Sequence, residues 1–276
     1  MIFQRSMAYA NAMLRFFSCA VVASSLLLAS EHSAHATPRW VDRGITMRST
    51  LGGTFDAGFG FGHRDQYGVS RDGVGGSFEA VLGIQRFLDV GVRLGVRSHD
   101  LGNSSFAQAD FYGRDRDRET YRLLGYRTFA NPELRLRGKV LEKGPFELAL
   151  EGRVLLPVNN GTGLVFGVPM ALHLGHTVRL DTGLYLPIGF ADNETNVGFS
   201  VPLRLWFQAT DNLWLGPMSG LRVSSVRGEA VDVPLGLALG VSVHRYIDIK
   251  GDFFFNRVNE GAQQLGFGIG IGLYFE

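Results

Sequence analysis

Ten basic and ten acidic side chains fall on the polar side of segments that otherwise alternate with apolar residues. The basic set is Arg93, Arg97, Arg135, Arg137, Lys139, Arg153, Arg179, Arg204, Arg222 and Lys250. The acidic set is Asp56, Glu79, Asp89, Glu133, Glu147, Glu151, Asp181, Asp232, Asp248 and Asp252. Charges of both signs on one face can do two things. They can pair sideways and fill a polar interior, or they can stand opposed across a wet space. Opposed charges set up a transverse field that orders dipolar solutes and favours ions. The second arrangement would place Arg93, Arg135 and Arg137 on one arc and Asp252 across from them, with Glu151 and Asp181 completing a candidate constriction. The first arrangement is testable in one hairpin. A three-residue turn at Glu142–Gly144 would set Lys139 beside Glu147, Arg135 beside Glu151 and Glu133 beside Arg153. All three pairs are complementary, and cross-strand pairs of this kind contribute roughly 0.2–1 kcal/mol each.

Other chemistry is sparse. His173 sits on the polar parity near a turn and His176 within that turn, with no second ligand at metal spacing, so both read as satisfied lumen or turn histidines. Gly58-Phe59-Gly60-Phe61-Gly62 has Gly-x-Gly spacing but lacks the strand-to-helix context of a nucleotide fingerprint. No Ser/His/Asp or paired-carboxylate arrangement stands out, although His63, Asp65, His99 and Asp100 lie in regions read as loops. No catalytic, cofactor or metal residue is assigned. Cys19 is the single cysteine, and it lies in the N-terminal stretch discussed below.

The elements that must position these residues are strands. From Thr46 onward nothing sustains a 3.6-residue apolar period, whereas a period of two recurs. Twelve segments follow it: 51–61, 76–86, 89–98, 134–140, 146–154, 164–174, 180–190, 197–207, 213–223, 231–243, 247–255 and 265–275. Most run 10 to 13 residues, enough for the ~9–11 that a tilted strand needs to cross a bilayer, where globular strands are usually about 5–6. Short turns are expected at Arg86–Leu88, Glu142–Gly144, Gly175–Thr177, Thr210–Asn212 and His244–Tyr246. Longer loops are expected at 63–75, 100–131, 157–162, 191–196, 225–230 and 256–263.

The first 36 residues read differently. Arg5 and Arg15 precede an apolar run from Phe16 to Ala29, and Ala34-His35-Ala36 has the small-x-small spacing of a cleavage site. Residues 1–36 are therefore expected to be a removed export leader, with 37–276 as one domain. The 240 residues that remain carry 25 basic and 25 acidic side chains and all 37 glycines. Charge balance gives no pull towards nucleic acid, and so much glycine disfavours helix at about 1 kcal/mol each relative to Ala.

A secreted β-sandwich also alternates apolar and polar residues. Segment length argues against it, as does a polar face rich in glycine and arginine. Charge is absent from the apolar parity within the twelve segment interiors. Arg86, Glu142, Arg245 and Arg257 sit only at their ends, which matches the depth-dependent cost of about 2–4 kcal/mol for Arg or Lys at a bilayer midplane.

With its leader, its twelve alternating segments and its last strand, Gln264-Leu265-Gly266-Phe267-Gly268-Ile269-Gly270-Ile271-Gly272-Leu273-Tyr274-Phe275-Glu276, the chain resembles the bacterial outer-membrane β-barrel superfamily. Members end on an alternating strand with a terminal aromatic that their insertion machinery reads; here Phe275 is penultimate. The resemblance implies an all-β fold, a single closed antiparallel transmembrane barrel of about twelve strands in the outer membrane, with lipids and that machinery as partners. An even strand count puts both termini on the short-turn, periplasmic side. Three functional readings follow in order: a narrow porin-like channel for small hydrophilic solutes or ions without a cofactor, a non-conducting structural or adhesive barrel, and an outer-membrane hydrolase or protease. Loop 100–131 could fold inward over the lumenal glycines Gly58, Gly60, Gly266, Gly268, Gly270 and Gly272, or those glycines could serve curvature where the barrel closes.

Overall fold

The computed structural model describes residues 39–66, 69–97, 132–159, 161–191, 194–224, 231–255, 258 and 264–275. The expected leader 1–36 and loop 100–131 lie outside the described residues, as do 225–230 and most of 256–263.

The described residues form one antiparallel sheet that closes on itself. Its strands are β1 (Gly53–Gln66), β2 (Val69–Gln85), β3 (Leu88–Arg97), β4 (Glu133–Lys143), β5 (Phe146–Asn159) and β6 (Gly161–Leu174). They continue as β7 (Val178–Ala191), β8 (Glu194–Gln208), β9 (Leu213–Ser224), β10, β11 (Ile247–Phe255) and β12 (Gln264–Phe275). Strand β10 comes in two pieces, Val231–Asp232 and Leu235–His244, both paired to β9 and separated by Val233 and Pro234. Each strand pairs with its neighbours in sequence, and β12 closes on β1 from Gly53↔Phe275 to Arg64↔Gln264. Twelve strands in up-and-down order is the architecture that the period-two pattern predicts. Closure removes the unpaired edges that lipid cannot solvate.

Apolar side chains point outward and remain exposed along the wall: Phe59, Leu94, Leu136, Leu150, Phe166 and Ile271 are all about half exposed. Most charged residues of the strand interiors point inward and are buried or half-buried, while Arg86, Glu142 and Lys143 at strand ends are exposed. This inverts a soluble protein, and it is the arrangement that a lipid exterior selects.

The strands run longer than the alternation indicates. Residues 63–66 and 69–75, expected as loop, continue the β1–β2 ladder to Gln66↔Val69. Residues 157–159, 161–162, 191 and 194–196 likewise belong to strands, with β5 and β6 paired at Asn159↔Gly161 and β7 and β8 at Ala191↔Glu194. Alternation marks only the stretch where the two faces meet different solvents. Past the lipid both faces meet water, so the pattern fades while backbone pairing continues.

The β4–β5 register also departs from expectation. The connection is the two-residue turn Gly144–Pro145, with Lys143 paired to Phe146 and Gly144 at φ +57°. A bulge at Val140 then shifts the ladder. Arg137 thereby faces Glu151, Arg135 faces Arg153, and Lys139 faces Ala149, so none of the three expected pairs stands directly opposite, although Lys139–Glu147 and Glu133–Arg153 still meet diagonally at 3.8 and 3.9 Å. The parity survives from Glu133 to Lys139, because the net displacement there is two residues and those side chains keep their faces. Similar bulges precede the turns after β2 and β10.

Candidate functional site in the barrel lumen

Eight strands enclose roughly what wall side chains can fill, and 16–18 leave a water channel. Twelve leave surplus space, and at the short-turn end another part of the chain fills it. Residues 39–52 run across the inside of the barrel as a floor, regular only in a 3-10 turn at Trp40–Asp42. They then enter β1 through Leu51, whose N–H donates to the Gly83 carbonyl at 2.8 Å.

The floor is pinned from all around the wall. On the β8–β9 side Trp40 stacks on Trp214, with ring centroids 4.1 Å apart, and meets Trp206 edge-on at 5.7 Å. Gly240 of β10 makes this fit, since a side chain there would collide with the Trp214 ring. On β11, Asp248 accepts from both ends of the Arg43 guanidinium, which also lies 4.4 Å above the Tyr274 ring. On β5, Glu147 accepts the Ile45 N–H at 2.6 Å; on β4, Arg137 donates to the Ile45 carbonyl at 2.9 Å. Arg179 of β7 donates to the Arg43 carbonyl at 2.5 Å, and Gln208 of β8 accepts the Val41 N–H at 3.4 Å. Ile45 packs with Ala149 and Ala171, and Met47 with Val81 and Tyr274. Irregular backbone in a closed interior must find hydrogen-bond partners, and here charged wall side chains supply them.

Both histidines of the turn region serve this floor. His173 Nδ1 lies 2.7 Å from the Val41 carbonyl, and His176 Nδ1 lies 3.1 Å from Asp42 Oδ1. Among the described residues no group of three or more His, Cys, Asp or Glu is placed to hold a metal ion.

The wall charges pair sideways. Arg137 and Arg153 both donate to Glu151 through Nε, each at 2.6 Å. Arg135 reaches Glu79 at 3.3 Å and Asp89 at 3.5 Å on β2 and β3. Glu133 lies 3.8 Å from Arg93 and 3.9 Å from Arg153. Across the barrel, Arg179 bonds Asp181 at 2.6 Å, Trp206 donates to the other Asp181 oxygen, and Lys250 bonds Asp56. The Lys250–Asp56 pair lies over Gly272, where a Cβ would collide with both partners. One of the lumenal glycines noted above thus makes room for an ion pair.

All six residues of the expected constriction point inward and are buried. Arg93, Arg135, Arg137 and Glu151 share one cluster on β3–β5, Asp181 belongs to the Arg179–Trp206 group, and Asp252 stands on β11 beside Ala238 of β10. The cationic arc at Arg135 and Arg137 is matched by carboxylates on its own and adjacent strands, so the lateral arrangement is the one present. The floor was not foreseen. Its signal in the sequence is compositional: Trp40, Val41, Ile45 and Met47 interleave with Arg39, Arg43 and Arg48 just before the first strand, and Trp40 is one of only three tryptophans.

No protein-family model matches the chain, and no curated protein sequence matches it. Solved structures do. An outer-membrane channel of Pseudomonas putida F1 described as COG4313 aligns over 85% of this chain and 99% of its own, at 11% identity and TM-score 0.59. The NanC porin aligns over 80% and 99%, at 7% identity and TM-score 0.57. The KdgM porin in complex with disordered oligogalacturonate aligns over 81% and 99%, at 8% identity and TM-score 0.53. At such identities the likeness is one of fold: this chain shares the closed twelve-stranded antiparallel β-barrel of those outer-membrane channels.

Proposed function

We propose that the protein is a narrow channel of the bacterial outer membrane that passes small hydrophilic solutes or ions by passive diffusion and uses no cofactor. Residues 1–36 act as its cleaved export leader, and both termini of the mature chain lie on the periplasmic side. The observation that carries this reading is the inverted wall, with apolar side chains outward and a continuous lining of paired charges inward. A lining of that kind solvates a polar solute, and transport is what porins of the same fold do. Arg93, Arg135, Arg137, Glu151, Asp181 and Asp252 are the residues proposed to set the narrowest charged passage.

A second reading is favoured by one specific feature. A floor pinned across the turn end suits a non-conducting barrel that acts through its surface loops or by its presence in the envelope. Planar-bilayer recording of the refolded protein separates the two. The channel reading expects reproducible conductance steps whose ion selectivity changes in Arg135→Glu, while a silent membrane at high protein load supports the structural barrel.

A further inference from the structure

Resting on the channel reading, we infer that the segment Arg39–Thr50 is a displaceable gate: the closed lumen opens when this floor leaves its seat, and the wall remains intact.

Two features of the wall point to this. First, no interstrand ladder depends on the floor. The closing pairings of β1 with β2 and β12 begin at Gly53, after the segment ends. Releasing it therefore breaks no strand pairing, and the barrel stays closed as a cylinder.

Second, the buried charged wall residues that grip the floor each have another partner in the wall; Asp211, which holds Arg39 at the turn end, is exposed to water. Arg137 keeps Glu151, and Arg179 keeps Asp181. Glu147 keeps Lys139 at 3.8 Å, and Asp248 keeps the Ser242 hydroxyl at 2.7 Å. Departure of the floor thus strands no wall charge. Arg39 and Arg43 part from the wall carboxylates Asp211 and Asp248, and both travel with the segment into water. A permanent plug has no need of such duplication, whereas a seat that must persist when empty requires it.

What holds the floor shut is then mainly the apolar part, Trp40 between Trp206 and Trp214 together with Ile45 and Met47 in their two niches. These contacts lie on opposite sides of the lumen, so the segment leaves as a unit or not at all.

The test is a reversible lock. Ile45→Cys is combined with Ala171→Cys, and separately with Ala149→Cys, in a Cys19→Ser background. Mass reports the disulfide, and heat-modifiable gel migration reports the fold. Conductance is expected to fall to baseline in the linked protein and to return on reduction, while Ile45→Cys alone is indifferent to oxidant. Linked protein that conducts as well as reduced protein overturns the gate, because solutes then pass with the floor in place. Folded protein in which neither pair links also overturns it, because the floor is then not seated on β5 and β6. Deletion of Arg39–Thr50 separates the two levels of inference. A silent parent with a conducting deletion variant means a permanent plug, which sinks the gate but leaves the barrel's capacity to conduct. Silence in both sinks the channel reading itself.

Discussion

Arg43 of the floor and Asp248 of β11 form a two-point ion pair inside the barrel, Nη1–Oδ2 at 2.5 Å and Nη2–Oδ1 at 3.2 Å. Both side chains are less than 5% exposed. The partners are unequal when separated. Asp248 retains the Ser242 hydroxyl, and Arg43 retains the faces of Trp40 and Tyr274.

Removing either partner therefore has different consequences. Asp248→Ala removes the carboxylate that Arg43 bonds at two points inside the barrel, a loss of about 3–5 kcal/mol. Arg43→Ala leaves an already bonded carboxylate and costs about 1–3 kcal/mol. Hydrogen exchange at the Ile45 amide, which is bonded to Glu147, reads the difference directly: protection falls more in Asp248→Ala than in Arg43→Ala. The pair Arg43→Met with Asp248→Leu loses less than Asp248→Ala alone. Equal losses in the two single variants would show that the pair does not bind the floor in this way.

The three tryptophans of the chain make a spectroscopic reporter of the floor. All of them sit in one cluster, so the near-ultraviolet circular dichroism of the folded protein is dominated by their coupling. Trp40→Phe is expected to reduce the coupled signal to what Trp206 and Trp214, edge-on at 5.5 Å, keep between themselves, while leaving the far-ultraviolet strand spectrum unchanged. Trp40→Ala also forfeits the packing of a large buried ring, about 3–5 kcal/mol, and shifts the emission of Trp206 and Trp214 to the red as water reaches them. An undiminished coupled signal in Trp40→Phe would place Trp40 elsewhere.

In the wall cluster of β4 and β5 the ranking of variants follows from charge counting. Glu151 accepts from Arg137 and Arg153, and Arg135 stands directly across from Arg153. Glu151→Ala leaves three buried guanidiniums facing one another, whereas Arg137→Ala leaves Glu151 still bonded to Arg153. The first is expected to cost about 3–5 kcal/mol in denaturant unfolding from detergent, and the second clearly less. Glu151→Gln, which keeps the shape and removes the charge, falls between them. A reversed order would mean that the hairpin follows the register in which Glu151 meets Arg135 instead.

That hairpin shows where sequence reasoning stops. The parity of Arg135, Arg137, Glu151 and Arg153 was legible because it depends only on a period of two, and an even displacement cannot alter it. The pairing of individual residues was not legible. It depends on which residues form the turn and on one extra residue at Val140, and no side-chain pattern announces either. Histidines 173 and 176 could be read as satisfied groups because their type and position sufficed. The floor they serve could not be read, since its partners lie between about 40 and more than 200 residues away and its own sequence has no period. Where lipid faces one side of a strand the alternation is strong; beyond the lipid, as at His63–Gln66, the strand continues without it.

The fit of the floor to the wall rests on one absence. Gly240 faces inward on β10, paired with Trp214 of β9, and the indole occupies the space that a side chain at 240 would need. Gly240→Val supplies a β-branched residue that the extended backbone accepts readily, so the strand itself does not suffer and the barrel still folds. The cost falls on Trp214, which must swing away and take with it the face on which Trp40 stacks. Overpacking of this kind typically costs about 1–3 kcal/mol, and here all of it is directed at the floor. Gly240→Val is therefore expected to keep heat-modifiable migration and the far-ultraviolet spectrum, to lose the coupled tryptophan signal, and to speed exchange at the Ile45 amide. Gly251→Ala, on the neighbouring strand and of outward parity, should change none of the four readings, because the nearest atom to a Cβ there is 3.5 Å away. A Gly240→Val protein with an undisturbed tryptophan signal would mean that Trp214 does not lie over β10, and the floor would lose its anchor on that side.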